Sequence, residues 1–334
     1  MKPVIAISMG DYNGIGPEVI LKALKQSDLN QSSPVLIGHE RVFQFYEKKL
    51  KTGFKFHVIE KISDYTTQEG LVNLLRSTDG ANIEPIPGNP SVVAGQEAMQ
   101  AVDLAASLCM KGEAHALVTA PISKESINKA GYHYPGHTEF LAEKSNSEEI
   151  QMILVHKSLR VALATIHIPV RDIAGQLTTN MIFQHINRLH HSLKNDFQIL
   201  SPNIAVLGLN PHAGDGGIIG SEEIAIIKPA IDMAKKSGLS LNGPFPADGF
   251  FGSRQWQKFD GILAMYHDQG LIPFKTIAFG KGVNFTSGLS FIRTSPDHGT
   301  GFDIAGRNSA SETSFKAAYN LAVQLAANKF KDDE

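Results

Sequence analysis

Residues 260–306 read DGILAMYHDQGLIPFKTIAFGKGVNFTSGLSFIRTSPDHGTGFDIAG, in which short apolar runs alternate with polar residues and glycines. The first apolar run, 261–265, predicts a buried strand. His267 and Asp268 follow at its carboxyl end, where open α/β sheets bind their ligands. Two cations, an amide and a closing histidine loop come next: Lys275, Asn284, Arg293 and 298–306 (HGTGFDIAG). The closing loop is too polar for a core, so we interpret the stretch as half of an active site.

The composition indicates an ordinary soluble protein of one large or two medium domains. The 334 residues carry 31 basic and 33 acidic side chains, and this balance argues against a nucleic-acid partner. No helical pattern is long and apolar enough to span a membrane. The single Cys109 excludes an internal disulfide and fits a reducing compartment. The apolar start of the chain reads as a strand rather than a signal peptide, so we expect a cytoplasmic protein.

Short apolar strands and helical patterns alternate along the chain. The predicted strands are 3–8, 34–38, 114–119, 151–155, 160–165, 203–209 and 261–265. The predicted helices are 17–26, 39–50, 93–111, 139–145, 178–194, 221–237 and 311–328. This order is typical of an α/β fold with a mainly parallel sheet, and the strands 151–155 and 160–165 are close enough to form a hairpin.

Three of the 13 histidines share one setting. His167, His212 and His267 each lie at or just beyond the carboxyl end of a predicted strand. A lone histidine there is usually a structural residue, but three at equivalent ends of one sheet could converge on a metal such as zinc, cobalt or manganese. His185, His190 and His191 lie in polar surroundings, and we interpret them as surface residues.

A second group of residues suits an anion. Lys275 and Arg293 have no carboxylate partner next to them in sequence, and Asn284, His137 and Thr138 add neutral hydrogen-bonding groups. Such a set fits a phosphate or a carboxylate. Taken one by one, the cations could be solvated surface charges, and Thr138 could be the N-cap of the helix 139–145 with His137 as a bystander.

The glycine-rich segment 10–18, GDYNGIGPE, links the first strand to the first helix. Pro17 and Glu18 suit the first turn of a helix. Free N–H groups at such a helix start could hold an anion, but a plain strand-to-helix turn explains the same residues.

Two of these segments resemble motifs of the isocitrate and isopropylmalate dehydrogenase superfamily. Residues 10–18 resemble its GDGIGPE loop with two residues inserted, and 298–306 resemble its HGSAPDIAG loop. The resemblance implies two α/β/α subdomains with a central cleft, 1–130 with 270–334 and 131–269, and a dinucleotide held without a Rossmann fingerprint. The implied cofactor contacts are His298, Gly299, Thr300, Asp303, Gly306, Gly14 and Gly16.

Seven further motifs resemble the 4-hydroxythreonine-4-phosphate dehydrogenase family. They are GHTEFLA (136–142), TIHIPV (165–170), LNPHAGDGG (209–217), PADGFF (246–251), YHDQGL (266–271), GVNFTSGL (282–289) and FIRTSPDHGT (291–300). The resemblance implies that His167, His212 and His267 bind one divalent metal (zinc, cobalt, magnesium or manganese) across a homodimer interface. It implies substrate contacts from His137, Thr138, Lys275, Asn284 and Arg293. Tyr12-Asn13 departs from the family, which usually has Pro and a small residue there, and this leaves the role of that loop open.

The activity that the resemblance implies is a metal-dependent and NAD- or NADP-dependent oxidation of 4-phosphooxy-L-threonine. The product would be a β-keto acid that decarboxylates to 3-amino-2-oxopropyl phosphate, in pyridoxal 5'-phosphate biosynthesis. Lys275, Asp248 and Asp268 are the candidate catalytic residues. Dehydrogenation of D-threonate or D-erythronate 4-phosphate is the nearest alternative, a metal-dependent phosphatase or hydrolase is another, and a non-catalytic phosphate-binding protein is the least favoured.

Overall fold

The computed structural model describes residues 2–68, 70–78 and 83–330, and its contacts divide the chain into two compact units. The first unit comprises Met1–Glu148 and Leu289–Glu334, and the second comprises Glu149–Gly288. The boundaries predicted from sequence, at 130/131 and 269/270, fall elsewhere. The difference arises because residues 131–148 pack with the first unit and residues 270–288 pack with the second.

The helices and strands follow one another in chain order. The first unit opens with β1 (Val4–Ser8), α1 (Gly16–Lys25), β2 (Ser33–Gly38), α2 (Glu40–Leu50), β3 (Lys55–Ile59), β4 (Leu71–Arg76), α3 (Val92–Met110), β5 (Ala116–Thr119), α4 (Lys124–Lys129) and α5 (His137–Lys144). The second contains β6 (Gln151–His156), β7 (Leu159–Leu163), α6 (Ile173–Gln176), α7 (Thr179–Asn195), β8 (Asn203–Leu207), α8 (Lys228–Lys236), β9 (Ser240–Phe245), α9 (Ala247–Gly252), β10 (Gly261–Ala264), α10 (His267–Ala278) and β11 (Val283–Ser287). The chain then returns to the first unit with β12 (Ile292–Pro296) and α11 (Thr313–Phe330).

The strands of the first unit form a parallel sheet in the order β3-β4-β2-β1-β5-β12. Strands β1, β2 and β5 are buried along their whole length. Such continuous apolar strands are typical of a parallel sheet whose two faces are both covered. Helix α3 packs against β1, β2 and β5, and α11 packs against β5 and β12. The α/β class predicted from the sequence is confirmed.

The strands of the second unit lie in the order β11-β6-β7-β10-β8-β9. Strands β6 and β7 form the predicted antiparallel hairpin, with Lys157 in a left-handed conformation at its tip. Strands β7, β10, β8 and β9 pair in parallel. Their buried side chains and those of α10 make one apolar core that includes Val161, Leu163, Ile262 and Phe274. The parallel pairing brings the carboxyl ends of β7, β10 and β8 to the same edge.

Helix α10 is the largest element that the sequence did not predict. Pro273 lies inside it, and an internal proline normally breaks a helix because it removes a hydrogen bond. Burial of Leu271 and Phe274 against the core outweighs that loss. Gly270 allows the helix to lie close to the sheet, since an added Cβ would lie 2.7 Å from Leu163 Cδ2 and 3.1 Å from Ala264 Cβ.

Other local predictions also need correction. Helix α5 begins at His137 with Gly136 as its N-cap, so the expectation that Thr138 caps a helix 139–145 was wrong. The predicted helix 221–237 is a π-turn, Glu223–Ile227, that continues into α8. The sequence prediction did not include six other elements: β4, α6, β9, α9, β11 and β12. Over the described ranges, no helix combines the length and apolar character that crossing a membrane requires.

The contact between α3 and α4 tests how tightly the first unit is packed. A Cβ added to Gly95 would collide with the carbonyl group of Ser126 and lie 2.7 Å from Ile127 N. Because these are backbone atoms, we expect Gly95→Ala to lower the free energy of unfolding by about 1–3 kcal/mol, measured by chemical denaturation. The matched control is Gly175→Ala, where an added Cβ meets nothing within 4 Å. Equal effects of the two substitutions would contradict the close packing.

Candidate active site

The three strand-end histidines follow three neighbouring strands. His167 follows β7, His267 follows β10 and His212 follows β8, and β10 pairs in parallel with both β7 and β8. We call His167, His267 and His212 the histidine row. The sequence predicted strand ends for all three residues, and the sheet order sets those ends side by side at one edge.

His167 and His267 are neighbours within the row. Their ring centroids lie 6.2 Å apart, with ring planes inclined by 37°. His267 begins α10, and its Nδ1 lies 2.7 Å from Asp268 Oδ1. A carboxylate on Nδ1 fixes the ring and leaves Nε2 available to a metal. Asp268, predicted as a catalytic residue, therefore has an orienting contact.

His212 lies in an unusual turn. Residues 212–216 all have positive φ, although three of them, His212, Ala213 and Asp215, are not glycine. Consecutive left-handed L-residues persist only where surrounding contacts fix them. Helix α9, which carries the exposed Asp248 in its first turn, packs against this turn. The sequence prediction missed a residue that fixes the turn: Glu223, whose carboxylate accepts hydrogen bonds from Leu209 N and Asn210 N.

The histidine row has the chemistry of a metal site but does not complete one within a single chain. Imidazole nitrogens suit zinc, cobalt and related borderline metals, and the Asp268 contact on His267 is typical of a metal-binding histidine. In the part of the chain that the structure describes, however, no group of three or more His, Cys, Asp or Glu side chains could hold a metal ion. The donor set therefore fits a divalent metal on condition that another donor is supplied.

Arg293 is the central charge of the first unit. It lies in β12 with only 2% of its surface exposed, and its Nη2 donates to Thr119 Oγ1 at 2.7 Å. Burial lowers the pKa of Arg293 to about 10, against the opposing effect of the Glu139 carboxylate. The guanidinium therefore stays charged at neutral pH. The interpretation of Arg293 as a solvated surface charge was wrong.

His137 lies close enough to Arg293 to feel its charge. Burial lowers the pKa of His137 well below its ordinary value, and the Arg293 charge acts in the same direction. The imidazole is consequently neutral near pH 7. Its Nε2 is buried and makes no hydrogen bond to any described residue. We call Arg293, Thr119 and His137 the arginine cluster; Thr138 follows His137 in the first turn of α5.

The other two residues predicted to bind the anion belong to the second unit. Lys275 is exposed in the last turn of α10. Asn284 is half-buried in β11, and its Oδ1 is buried without a hydrogen-bond partner among the described residues. An amide oxygen left in this state can accept a hydrogen bond from a ligand.

The glycine loop 10–18 packs against the loop 298–306. Ile15 N donates to Thr300 O at 2.8 Å, and Gly14 N donates to Asp11 O at 3.0 Å. A Cβ on Gly14 would lie 2.7 Å from Thr300 O, and one on Gly16 would lie 2.6 Å from Met9 O. These N–H groups and glycines therefore serve the contact between the loops, which favours the strand-to-helix turn over an anion site at this helix start.

Asn13, part of the unusual Tyr12-Asn13 pair, ties a third segment to the glycine loop. Its Nδ2 donates to Asn89 O at 2.8 Å, and its Oδ1 accepts from Ile86 N at 2.7 Å. Its carbonyl oxygen accepts from Gly88 N at 2.7 Å. Asn13 thus has a structural role, which sequence reasoning did not identify.

The loop 298–306 contains exposed residues and a buried polar atom that has no hydrogen-bond partner among the described residues. Gly299 and Asp303 are exposed, whereas an added Cβ on Gly306 would lie 2.7 Å from Pro87 Cβ. His298 is half-buried, and its Nε2 has no hydrogen-bond partner in the described ranges. Burial lowers the pKa of His298, so the ring is neutral at pH 7. The neutral His298 ring, beside exposed backbone, can form hydrogen bonds with the polar groups of a dinucleotide.

The interpretation of three helix α7 histidines as surface residues holds only for His191. His185 and His190 are half-buried, and His185 Nδ1 lies 3.1 Å from Gln151 Nε2. Burial lowers the pKa of His185 to about 4, with help from the Arg188 charge. Polar neighbours in sequence did not reveal this burial, because they lie on other faces of the helix.

Comparison with known proteins gives consistent matches. The pattern of the family described as "Pyridoxal phosphate biosynthetic protein PdxA" matches residues 30–322. The 4-hydroxythreonine-4-phosphate dehydrogenase of Prosthecochloris aestuarii is 42% identical over 337 residues, which cover 98% of each protein. The D-threonate 4-phosphate dehydrogenase of Pectobacterium atrosepticum is 38% identical over 330 residues, covering 98% of this chain and 100% of that protein.

Solved structures agree with these matches. The crystal structure of 4-hydroxythreonine-4-phosphate dehydrogenase from Klebsiella pneumoniae superimposes with a TM-score of 0.85 at 35% identity, covering 98% of both chains. The family match and the full-length relatives together show that this chain is an oxidoreductase and belongs to the pyridoxal phosphate biosynthetic protein PdxA family.

Proposed function

We propose that this protein is a metal- and NAD(P)-dependent dehydrogenase of 4-hydroxythreonine 4-phosphate (4-phosphooxy-L-threonine). The observation that carries the proposal is the histidine row at the ends of three adjacent parallel strands, in a chain of the PdxA family. The substrate is suggested by the relatives that bear this enzyme's name. The pathway would be pyridoxal 5'-phosphate biosynthesis.

The residues proposed to hold the metal are those of the histidine row. A divalent ion bound there, whether zinc, cobalt, magnesium or manganese, would supply Lewis acidity that lowers the pKa of the substrate hydroxyl. Asp268 would hold the His267 ring through Nδ1, at the 2.7 Å distance described above. This contact keeps the other ring nitrogen available to the ion.

The arginine cluster is proposed to bind the substrate phosphate. A buried guanidinium interacts strongly with a phosphate dianion because little water screens the pair. Neutral His137 and the Thr138 hydroxyl would add hydrogen bonds without adding charge. Asn284 and Lys275 are the further proposed contacts, and the unpartnered Asn284 Oδ1 supports the first of these. These contacts position the substrate and need not change during the reaction.

The oxidation removes a hydride from one carbon of the substrate and a proton from the hydroxyl group on that carbon. The loop 298–306 is the proposed site for NAD or NADP, which would supply the acceptor for the hydride from C3 of the substrate. The hydroxyl proton passes to a base, and Asp248 and Lys275 are the candidates because Asp268 already contacts His267. The resulting β-keto acid loses CO₂ to give 3-amino-2-oxopropyl phosphate.

We propose a homodimer in which each metal site takes histidines from both copies. His167 and His267 are close together, yet no group of three metal-binding side chains forms among the residues described for one chain. A symmetric dimer supplies an identical strand edge, and with it another His212. This arrangement would complete the donor set for two sites per dimer.

A second candidate substrate is D-threonate 4-phosphate. The Pectobacterium atrosepticum relative of that name matches this chain along its whole length at 38% identity. The two substrates share the phosphate and the oxidised hydroxyl, and differ where a hydroxyl replaces the amine. The histidine row and the arginine cluster would serve either of them.

The first experiment tests the reaction class and the substrate. Purified protein is supplied with a divalent metal, NAD or NADP, and each phosphorylated substrate in turn, while reduced cofactor and CO₂ are followed. We expect 4-hydroxythreonine 4-phosphate to give both products, with a higher kcat/KM than D-threonate 4-phosphate. A preference for D-threonate 4-phosphate would select the second candidate, and phosphate release without cofactor reduction would indicate a hydrolase.

A second experiment tests the phosphate contacts. Arg293→Gln and Lys275→Ala should each weaken substrate binding by about 2 kcal/mol, because each removes a charge-assisted hydrogen bond. For Arg293→Gln, activity on 4-hydroxythreonine without its phosphate should be almost unaffected. The same result for Lys275→Ala would assign Lys275 to the phosphate and not to proton transfer. Arg76→Gln, which removes an exposed cation paired with Glu40, is the control for loss of charge. Equal losses on both substrates would assign these residues to folding or to hydride transfer instead.

A third experiment tests the shared metal site. Inactive His167→Ala, His267→Ala and His212→Ala proteins are mixed in pairs under conditions of verified subunit exchange. Because His167 and His267 are neighbours in one chain, we expect recovery when His212→Ala is mixed with either of the other two. Random exchange restores roughly a quarter of wild-type activity, since about half of the dimers are mixed and each retains one intact site. No recovery from any pair would place all the ligands in one chain.

A further inference from the structure

The turn that carries His212 depends on contacts from outside it. Four of its positive-φ residues are His212 (φ 52°), Ala213 (φ 52°), Gly214 (φ 81°) and Asp215 (φ 43°). L-residues avoid this region because Cβ approaches the backbone carbonyl. Hydrogen bonds inside the turn, such as Ala213 N to Asn210 O, do not by themselves require the left-handed path. The contacts that hold residues 208–214 therefore determine the position of the His212 backbone.

The carboxylate of Glu223 contacts both ends of that segment. Its Oε1 accepts from Leu209 N and Asn210 N, both at 2.7 Å, and its Oε2 accepts from Asn210 Nδ2 at 2.9 Å. Glu223 is 1% exposed and begins the π-turn Glu223–Ile227. Three N–H donors stabilise a buried carboxylate that would otherwise be costly to remove from water.

Two glycines leave the space in which this carboxylate lies. A Cβ on Gly214 would be 2.7 Å from Glu223 Oε2, and one on Gly208 would be 3.1 Å from Oε1. The carboxylate is thus enclosed by the segment on either side of His212. By contrast, Glu222 accepts a hydrogen bond from the Asn210 side chain, at 2.8 Å, and is half-buried.

We infer that Glu223 is a positioning residue that sets the backbone of the His212 turn and thereby the metal affinity of the site. The inference rests on the proposed function, because it assigns His212 to the metal. Glu223 does not itself contact the metal or the substrate in this role.

The test is metal binding by the metal-free, full-length protein, measured by calorimetry with Zn²⁺ and by the visible absorption of Co²⁺. Glu223→Gln removes the charge and replaces one of the two accepting oxygens by an amide N–H₂, which cannot accept the hydrogen bonds made there. We expect its metal dissociation constant to rise roughly tenfold or more, as for other residues that orient metal ligands. Excess Co²⁺ should restore most of the turnover rate. Glu222→Gln, the matched control, should bind the metal like the wild type.

Two further variants separate the possible failures. His212→Ala should lose the metal site, and excess Co²⁺ should not restore its activity; metal binding like that of the wild type would refute the metal role of His212 and with it the proposed function. If His212→Ala loses the metal but Glu223→Gln retains wild-type affinity, only the positioning role is overturned. Glu223→Asp keeps the charge but withdraws the carboxylate from Leu209 N and Asn210 N, so it decides the question if Glu223→Gln does not fold. Weakened metal binding by Glu223→Asp supports the positioning role, and unchanged binding overturns it.

Discussion

The parallel pairing of β10 with both β7 and β8 is the constraint on which the candidate metal site depends. Adjacent strands lie about 4.8 Å apart, so the ends of β7 and β8 are separated by about twice that distance. The 6.2 Å between the rings of His167 and His267 is what neighbouring strands allow. His212 follows the third strand of this set, and its left-handed turn decides where its backbone lies. The sheet therefore aligns two ligands directly and leaves the third to local structure.

In the first unit, a buried strand holds a charged side chain. Arg293 is buried in β12, within a parallel sheet, and a buried charge is costly unless it has partners. Thr119 at the end of β5 accepts one hydrogen bond, and the Glu139 charge favours the ionised guanidinium. Burial keeps His137 neutral beside it. A buried cation next to neutral hydrogen-bonding groups suits an anionic ligand, because little water screens the charge.

The sequence predicted the strands and helices whose periodicity is regular, and missed those in which tertiary contacts override local preference. Strand β1, helix α7 and the β6–β7 hairpin follow the predicted pattern closely. Helix α10 was missed because Pro273 and Gly270 resemble helix breakers, although core packing compensates for the first and requires the second. Sequence spacing predicted three histidines at strand ends, but it could not show that β10 lies between β7 and β8, since strand order depends on contacts between distant residues. Nor could it show the left-handed turn, which non-glycine residues rarely adopt.

Hydrogen-bond satisfaction separates the residues that shape the site from those that face a ligand. Glu223 has acceptors filled by three N–H groups, and Glu18 is paired with Lys22 and accepts from Ala310 N. Buried atoms without a partner in the described part of the chain include His137 Nε2, Asn284 Oδ1 and His298 Nε2. They also include Ser33 Oγ, Gln100 Oε1 and the second oxygen of Glu18, Oε2. A neutral polar atom left unsatisfied costs about 1–3 kcal/mol, far less than a buried unpaired charge. A binding site can therefore contain neutral polar groups that only a ligand would satisfy. A buried carboxylate, by contrast, needs a partner within the fold for at least one of its oxygens.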